Sequence, residues 1–209
     1  MQSGTEFWDG IAVKYRTTAI SDTQAYEATL DRVASYLKRS DQVLEIGCGT
    51  GGTALKLAPF AKHITATDFS EGMIAQAVAR TPSDSVDFRA VSAFDTSLDK
   101  ERYHAVLAFN FLHLVEDFRN HIERIHGLLA PGGLFMSKTP CLTDPSAKLK
   151  FRLMVKAIPV MQMLGKAPFV TFRTIADIQN TIEDVGFEIV ETGNYPVQPP
   201  CHFVVARKL

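Results

Sequence analysis

The stretch Val43-Leu44-Glu45-Ile46-Gly47-Cys48-Gly49-Thr50-Gly51-Gly52 carries the clearest chemistry in this chain: an apolar run that turns into a cluster of glycines. Such a run reads as a buried strand, and the glycines behind it let the backbone come close to a ligand. Gly47, Gly49 and Gly52 fit the GxGxxG spacing that suggests a dinucleotide, whereas Gly47, Gly49 and Gly51 fit the GxGxG spacing that suggests S-adenosylmethionine. The glycines alone do not decide. Glu45 stands two residues before the loop, so on a strand it leans to the same side as Gly47. A carboxylate there repels a diphosphate and suits a ligand whose reactive end carries a sulfonium and an ammonium. Cys48 contributes its backbone to the loop and is not read as a nucleophile. Asp68, 17 residues after Gly51, ends the next apolar run, where an acid can accept from both ribose hydroxyls or cap the helix that follows. Beyond the fourth apolar run lies His113, a candidate general base because neutral imidazole takes a proton near pH 7, or else a packing residue. His202, in the last strand, reads as structural.

These residues need a scaffold. Short apolar runs, Gln42 to Ile46, His63 to Thr67, Val86 to Phe88, Tyr103 to Phe109 and Leu134 to Ser137, alternate with helical stretches at 51–60, 70–80 and 117–129. That alternation predicts an α/β fold with a mostly parallel sheet and crossover helices on both faces. The end differs: a helix over 174–185, closed at Gly186, precedes two strands joined by NYPVQPP, too short for a crossover, so that pair is an antiparallel hairpin. Residues 1–40 read as two helices, with Trp8 and Tyr15 seven residues apart on one face of the first. Residues 142–173 interrupt the alternation, and within them Lys148 to Arg173 hold six basic residues and no acidic one. This insertion reads as a lid: Leu149, Met154, Met161, Met163 and Phe169 would wall an apolar pocket, and Lys148, Lys150, Arg152 and Lys156 would draw an anionic acceptor or, through 148–166, a membrane surface. The plainer reading is an amphipathic helix with a solvated basic face, broken at Pro159.

Composition narrows the setting. With 209 residues, 46% hydrophobic, and 22 basic against 23 acidic side chains, the chain reads as one soluble domain without the positive field of a nucleic-acid binder. Cys48, Cys141 and Cys201 make an odd count with no CxxC spacing, which favours a reducing, cytoplasmic setting over a disulfide framework or zinc knuckle. The opening residues lack the pattern of a signal peptide, no apolar run is long enough to span a membrane, and no His/Asp/Glu cluster shows metal-ligand spacing.

Six segments in this order and spacing carry a resemblance over nearly the whole chain: FWDGIAVKY (Phe7 to Tyr15), VLEIGCGTG (Val43 to Gly51), ATDFSEGMIAQA (Ala66 to Ala77), YHAVLAFNFLHLVED (Tyr103 to Asp117), LLAPGG (Leu128 to Gly133) and GFEIVET (Gly186 to Thr192). The chain resembles the class I S-adenosylmethionine-dependent methyltransferases, in particular the small bacterial ones of the ubiquinone/menaquinone biosynthesis type. The resemblance implies a Rossmann-like methyltransferase fold with a seven-stranded sheet, S-adenosyl-L-methionine as cofactor and S-adenosyl-L-homocysteine as product. It implies that Phe69 and Met73 lie at the cofactor with Asp68, Met73 against the adenine. It implies that Phe109 and Asn110 lie beside the methionine part and that Tyr15, on a helix over the cofactor, reaches its carboxylate. The family commonly has an aspartate where Ser92 stands here, the backbone of Ala93 meeting the ring; Ser92 keeps one acceptor, Phe94 can cover the ring, and Asp95 is the alternative from a shifted register. The expected activity is in-line methyl transfer to a small-molecule acceptor; the rivals are an NAD-dependent oxidoreductase and a non-catalytic cofactor-binding protein on the same scaffold.

Overall fold

The computed structural model describes residues 4–80, 83–98 and 102–209. Residues 1–3 of the expected helical cap lie outside them. The five apolar runs form parallel strands β1 (Gln42–Ile46), β2 (His63–Asp68), β3 (Val86–Ala90), β4 (Tyr103–Phe109) and β5 (Leu129–Pro140), and the C-terminal hairpin gives β6 (Phe187–Asn194) and β7 (Cys201–Lys208). Their order is β3-β2-β1-β4-β5-β7-β6, with β7 antiparallel to both β5 and β6. The order reverses between β1 and β4, so the loops after those two strands open a crevice at the carboxyl edge, where open α/β sheets hold ligands.

The helices are α1 (Gly4–Thr17), α2 (Thr23–Ala34), α3 (Gly52–Leu57), α4 (Glu71–Val78), α5 (Phe118–Leu128), α6 (Leu149–Met154), α7 (Ile158–Met163) and α8 (Ile175–Asp184). The side-chain period of two splits the sheet into two cores. Leu44, Ile46, Val106 and Phe135 pack with Ile122 and Ile125 of α5 and Ile178 and Ile182 of α8. On the other face Val43, Leu107, Met136 and Phe203 pack with Leu30 and Val33 of α2 and Ala54 and Leu57 of α3. Glu45 shares the face of Val43, and Lys138 that of Met136, so both polar groups point toward α2.

β5 is longer than the expected Leu134 to Ser137 because Leu129 already pairs with Tyr103, the register slipping before Ala105 pairs with Leu134. Pro131, which lacks an N–H, and Gly132, at φ +71°, occupy that irregular stretch. The insertion is not a regular α-helix: α6 runs into α7 through one 3-10 turn at Val155–Ala157, and Pro159 falls in the first turn of α7, where its missing N–H costs nothing. No described helix is long and apolar enough to cross a membrane.

Candidate functional site

β1 runs into the glycine loop, and the loop is fastened on both sides. Cys48 N–H donates to Thr67 O of β2 at 2.9 Å, Gly51 N–H to Cys48 O at 3.0 Å, and the Arg80 guanidinium reaches Thr50 through its carbonyl and hydroxyl oxygens. Gly47, Gly49 and Gly51 all have positive φ, at +71°, +53° and +74°. Their needs differ. A Cβ on Gly47 would meet Phe111 at 2.6 Å, and one on Gly51 would meet Phe88 at 2.6 Å and Ala77 at 2.9 Å, so these two glycines make room for the protein's own core. Gly49 has only the Tyr15 ring at 3.8 Å, so it is the glycine that leaves backbone open to the crevice.

Two carboxylates face that backbone. Glu45 is 3% exposed, and its Oε2 has no hydrogen-bond partner. Burial, then the nearby Asp68, pushes its pKa up to about 8, against the Ala54 N–H that bonds the ionised form. Asp68 accepts from Gly49 N–H at 2.9 Å through one oxygen and from Ser70 N–H at 3.0 Å through the other. It is not the helix cap; Ser70 caps α4, accepting from Met73 N–H at 3.0 Å. Burial raises the Asp68 pKa as well. An ionised carboxylate offers about four lone-pair sites, so Asp68 keeps acceptor capacity toward the crevice.

The crevice opens into one cavity of about 1060 Å³. Tyr15, Glu45, Gly47, Cys48, Gly49, Asp68, Phe69 and Met73 line its loop side. Ser92, Ala93 and Phe94 line it after β3, and Phe109 and Asn110 after β4. Gly51 lies behind the loop and does not line it. Ser92 Oγ accepts from Phe94 N–H at 3.1 Å, closing a tight turn, while Asp95 is turned to Ser97 and stays off the wall. Asn110 holds a positive φ of 52°, in the left-handed region, and its N–H donates to Lys138 O at 2.8 Å.

His113 is not brought to this cavity. It borders a separate space of about 180 Å³ with Ile158 and Phe172, and its Nδ1 has no hydrogen-bond partner. Burial lowers its pKa to about 4. Its carbonyl accepts from Thr171 N–H at 2.7 Å, which ties the insertion to the end of β4. His202 bonds Gln179 and Asn194 in the interior. Of the five expected wall residues of the insertion, only Phe169 lines the large cavity, together with Pro168. Leu149, Met154, Met161 and Met163 are exposed.

The cavity also includes residues that the sequence reading passed over. Tyr26 and Thr29 enter it from α2, Lys138 from β5 and Cys201 from β7. Lys138 had a visible signal: it is a cation at the end of an otherwise apolar strand. Asp9 had none. Its carboxylate accepts from Ser70 Oγ and from Gly72 N–H at 2.9 Å, and Arg16 bonds Gln76 and Ala79, which lays α1 along α4 and brings Trp8 and Tyr15 over the loop.

A seven-stranded sheet in this order, a glycine loop at its switch point and an acid at the end of β2 set the terms for comparison with known proteins. The profile of the family described as "Methyltransferase domain" matches residues 17–192. The chain belongs to that family. An uncharacterized methyltransferase of Mycobacterium tuberculosis (strain ATCC 25618 / H37Rv) is 30% identical over 108 residues, covering 52% of this chain and 54% of that protein. A demethylmenaquinone methyltransferase of Clavibacter sepedonicus is 33% identical over 95 residues, 44% of this chain and 38% of that protein. The chain thus spans about half the length, or less, of these curated relatives. A crystal structure of an S-adenosylmethionine-dependent methyltransferase from Mesorhizobium loti superposes with a TM-score of 0.72 at 20% identity, covering 90% of this chain and 99% of that one. This likeness shows the fold: the class I, Rossmann-like methyltransferase architecture.

Proposed function

We propose that the chain transfers a methyl group from S-adenosyl-L-methionine to a small-molecule acceptor, releasing S-adenosyl-L-homocysteine. The observation that carries this reading is the pairing of Glu45 and Asp68 around the glycine loop inside one cavity. Gly49 N–H, an amide that a diphosphate would need, already donates to Asp68, and the buried Glu45 would repel a second negative group. This weighs against the NAD-dependent alternative. The orphaned Glu45 Oε2 fits an ammonium, the spare acceptor sites of Asp68 fit ribose hydroxyls, and the buried Met73 fits an adenine face.

The cofactor, when bound, supplies an electrophilic methyl on a sulfonium. The chain's own work is then to align and to exclude water. Orientation of this kind supplies roughly 7 to 11 kcal/mol of a bimolecular barrier. Tyr15 and Trp8 cover the loop from α1, and Pro168 and Phe169 close part of the opposite wall, so the insertion serves as a partial lid. The space beyond Phe109 and Asn110, toward α2 and β7, receives the acceptor. The three thiols are free and buried, which supports a reducing, cytoplasmic setting.

Thermal denaturation tests the reading. S-adenosylhomocysteine at about 100 times its dissociation constant should stabilise the protein by about 2.7 kcal/mol, a rise in midpoint of roughly 5 to 10 °C at this size. A shift with NAD and none with S-adenosylhomocysteine would reject it.

A further inference from the structure

The far end of the cavity holds a lysine that forms no ion pair among the described residues. Lys138 is 8% exposed, yet it lines the cavity wall. The one hydrogen bond of its ammonium among the described residues runs from Nζ to Thr29 Oγ1 at 3.0 Å. The Thr29 hydroxyl in turn donates to Ala25 O at 2.7 Å, so it meets the ammonium as a neutral acceptor. An ammonium has three N–H donors, and a buried one left with a single neutral partner is costly. The neighbours do not settle the charge. Burial pushes the Cys201 thiol up to about 11, so it stays neutral, while Asp22, which caps α2 through Ala25 N–H at 2.9 Å, attracts the ammonium without forming an ion pair with it.

The position bears on the acceptor. Lys138 pairs with Phe109 across β4 and β5, while Glu45 pairs with Leu107 across β1 and β4, and both side chains point toward α2. Two strand spacings and two residues of rise therefore separate Lys138 from Glu45, roughly 12 Å between their Cα atoms. The cation is one strand beyond Phe109, on the side away from the glycine loop.

We propose that Lys138 anchors an ionised oxygen of the methyl acceptor, so that the site selects apolar molecules bearing a carboxylate, phenolate or enolate. This inference rests on the methyltransferase reading, which fixes which end of the cavity holds the cofactor. Removing the cation should weaken binding of such an anion roughly 10- to 100-fold, the range for one charge-assisted hydrogen bond.

The test uses the full chain saturated with S-adenosylhomocysteine and two chemical pairs: para-nitrophenolate against para-nitroanisole, and naphthoate against its methyl ester. Wild type should bind one or both anions at least tenfold more tightly than the neutral partner. Binding of the phenolate alone assigns a phenol or enol acceptor, and binding of naphthoate alone assigns a carboxylic acid. Lys138→Met and Lys138→Gln should lose that preference while keeping the thermal shift with S-adenosylhomocysteine, which also shows that they fold; Lys138→Arg should recover part of it. In wild type the bound nitrophenol should ionise at lower pH than in solution, an absorbance change absent from Lys138→Met. If wild type shows no shift with S-adenosylhomocysteine, the cofactor reading fails. If that shift is intact and the anions bind no better than the neutral molecules, or equally well in Lys138→Met, the Lys138 assignment alone is overturned.

Discussion

Binding of S-adenosylhomocysteine should release a proton, and the structure says which one. Glu45 is buried beside Asp68 with its pKa near 8, so at pH 7 roughly nine-tenths of the free protein holds it as the neutral acid. An ammonium placed against Oε2 favours the ionised form, so binding must expel that proton. The α-amino group of the ligand is needed as the cation. The affinity should therefore climb roughly 15-fold between pH 6.5 and pH 8 and fall only at more alkaline pH, where the ammonium is lost. Isothermal titration at pH 7 in two buffers of different ionisation enthalpy should count close to one proton released per ligand. Glu45→Gln should abolish the release and the acid limb together, while the alkaline limb stays. Tyr26, Cys48 and Asp68 also face this carboxyl, and the Gln variant separates its titration from theirs. Without ligand the same raised pKa works against the fold: stability declines as pH rises from the ordinary carboxylate range through about 8, because only the unfolded chain has already lost that proton. A flat affinity between pH 6.5 and 8 with no proton release would refute the reasoning.

Gly51→Ala should cost about 2 to 4 kcal/mol, combining a left-handed backbone with a Cβ 2.6 Å from Phe88, whereas Gly49→Ala should cost about 1 to 2, both read from chemical denaturation. Asp9→Ala removes the acceptor of Ser70 Oγ and Gly72 N–H; limited proteolysis should then cut α1 before the rest, with weaker S-adenosylhomocysteine binding. Those bonds hold the Asp9 pKa below its ordinary value, so the clamp acts at neutral pH and is lost as pH falls through the lowered carboxylate range, which Asp9→Asn should mimic at all pH values. His113→Gln should leave the acid limb of a kcat profile in place, since an imidazole with a pKa near 4 outside the cavity is not the base; disappearance of that limb would restore it as a candidate.

What could be read from the sequence was what local pattern determines. Strands β1 to β4 followed from apolar runs between glycine and helix signals, and the antiparallel hairpin followed from the brevity of NYPVQPP. The glycine-loop side of the cavity was legible for the same reason: Glu45, the glycines and Asp68 sit at fixed offsets from strand ends. The opposite wall of the cavity was not. Thr29, Lys138 and Cys201 meet only because α2, β5 and β7 converge, contacts across 109 residues between Thr29 and Lys138 that no local spacing encodes. The insertion misled in the opposite way. Its methionines and leucines look like a pocket wall in composition, but neither α6 nor α7 buries a residue, and Leu149, Met154, Met161 and Met163 stay exposed.

The most direct measurement is a crystal structure of the protein with S-adenosylhomocysteine bound. The account predicts the amino group within hydrogen-bond distance of Glu45, the ribose hydroxyls on Asp68, the adenine against Met73, and the sulfur facing the space beneath Lys138. A ligand seated elsewhere, or one whose ribose and ammonium avoid both carboxylates, would contradict it.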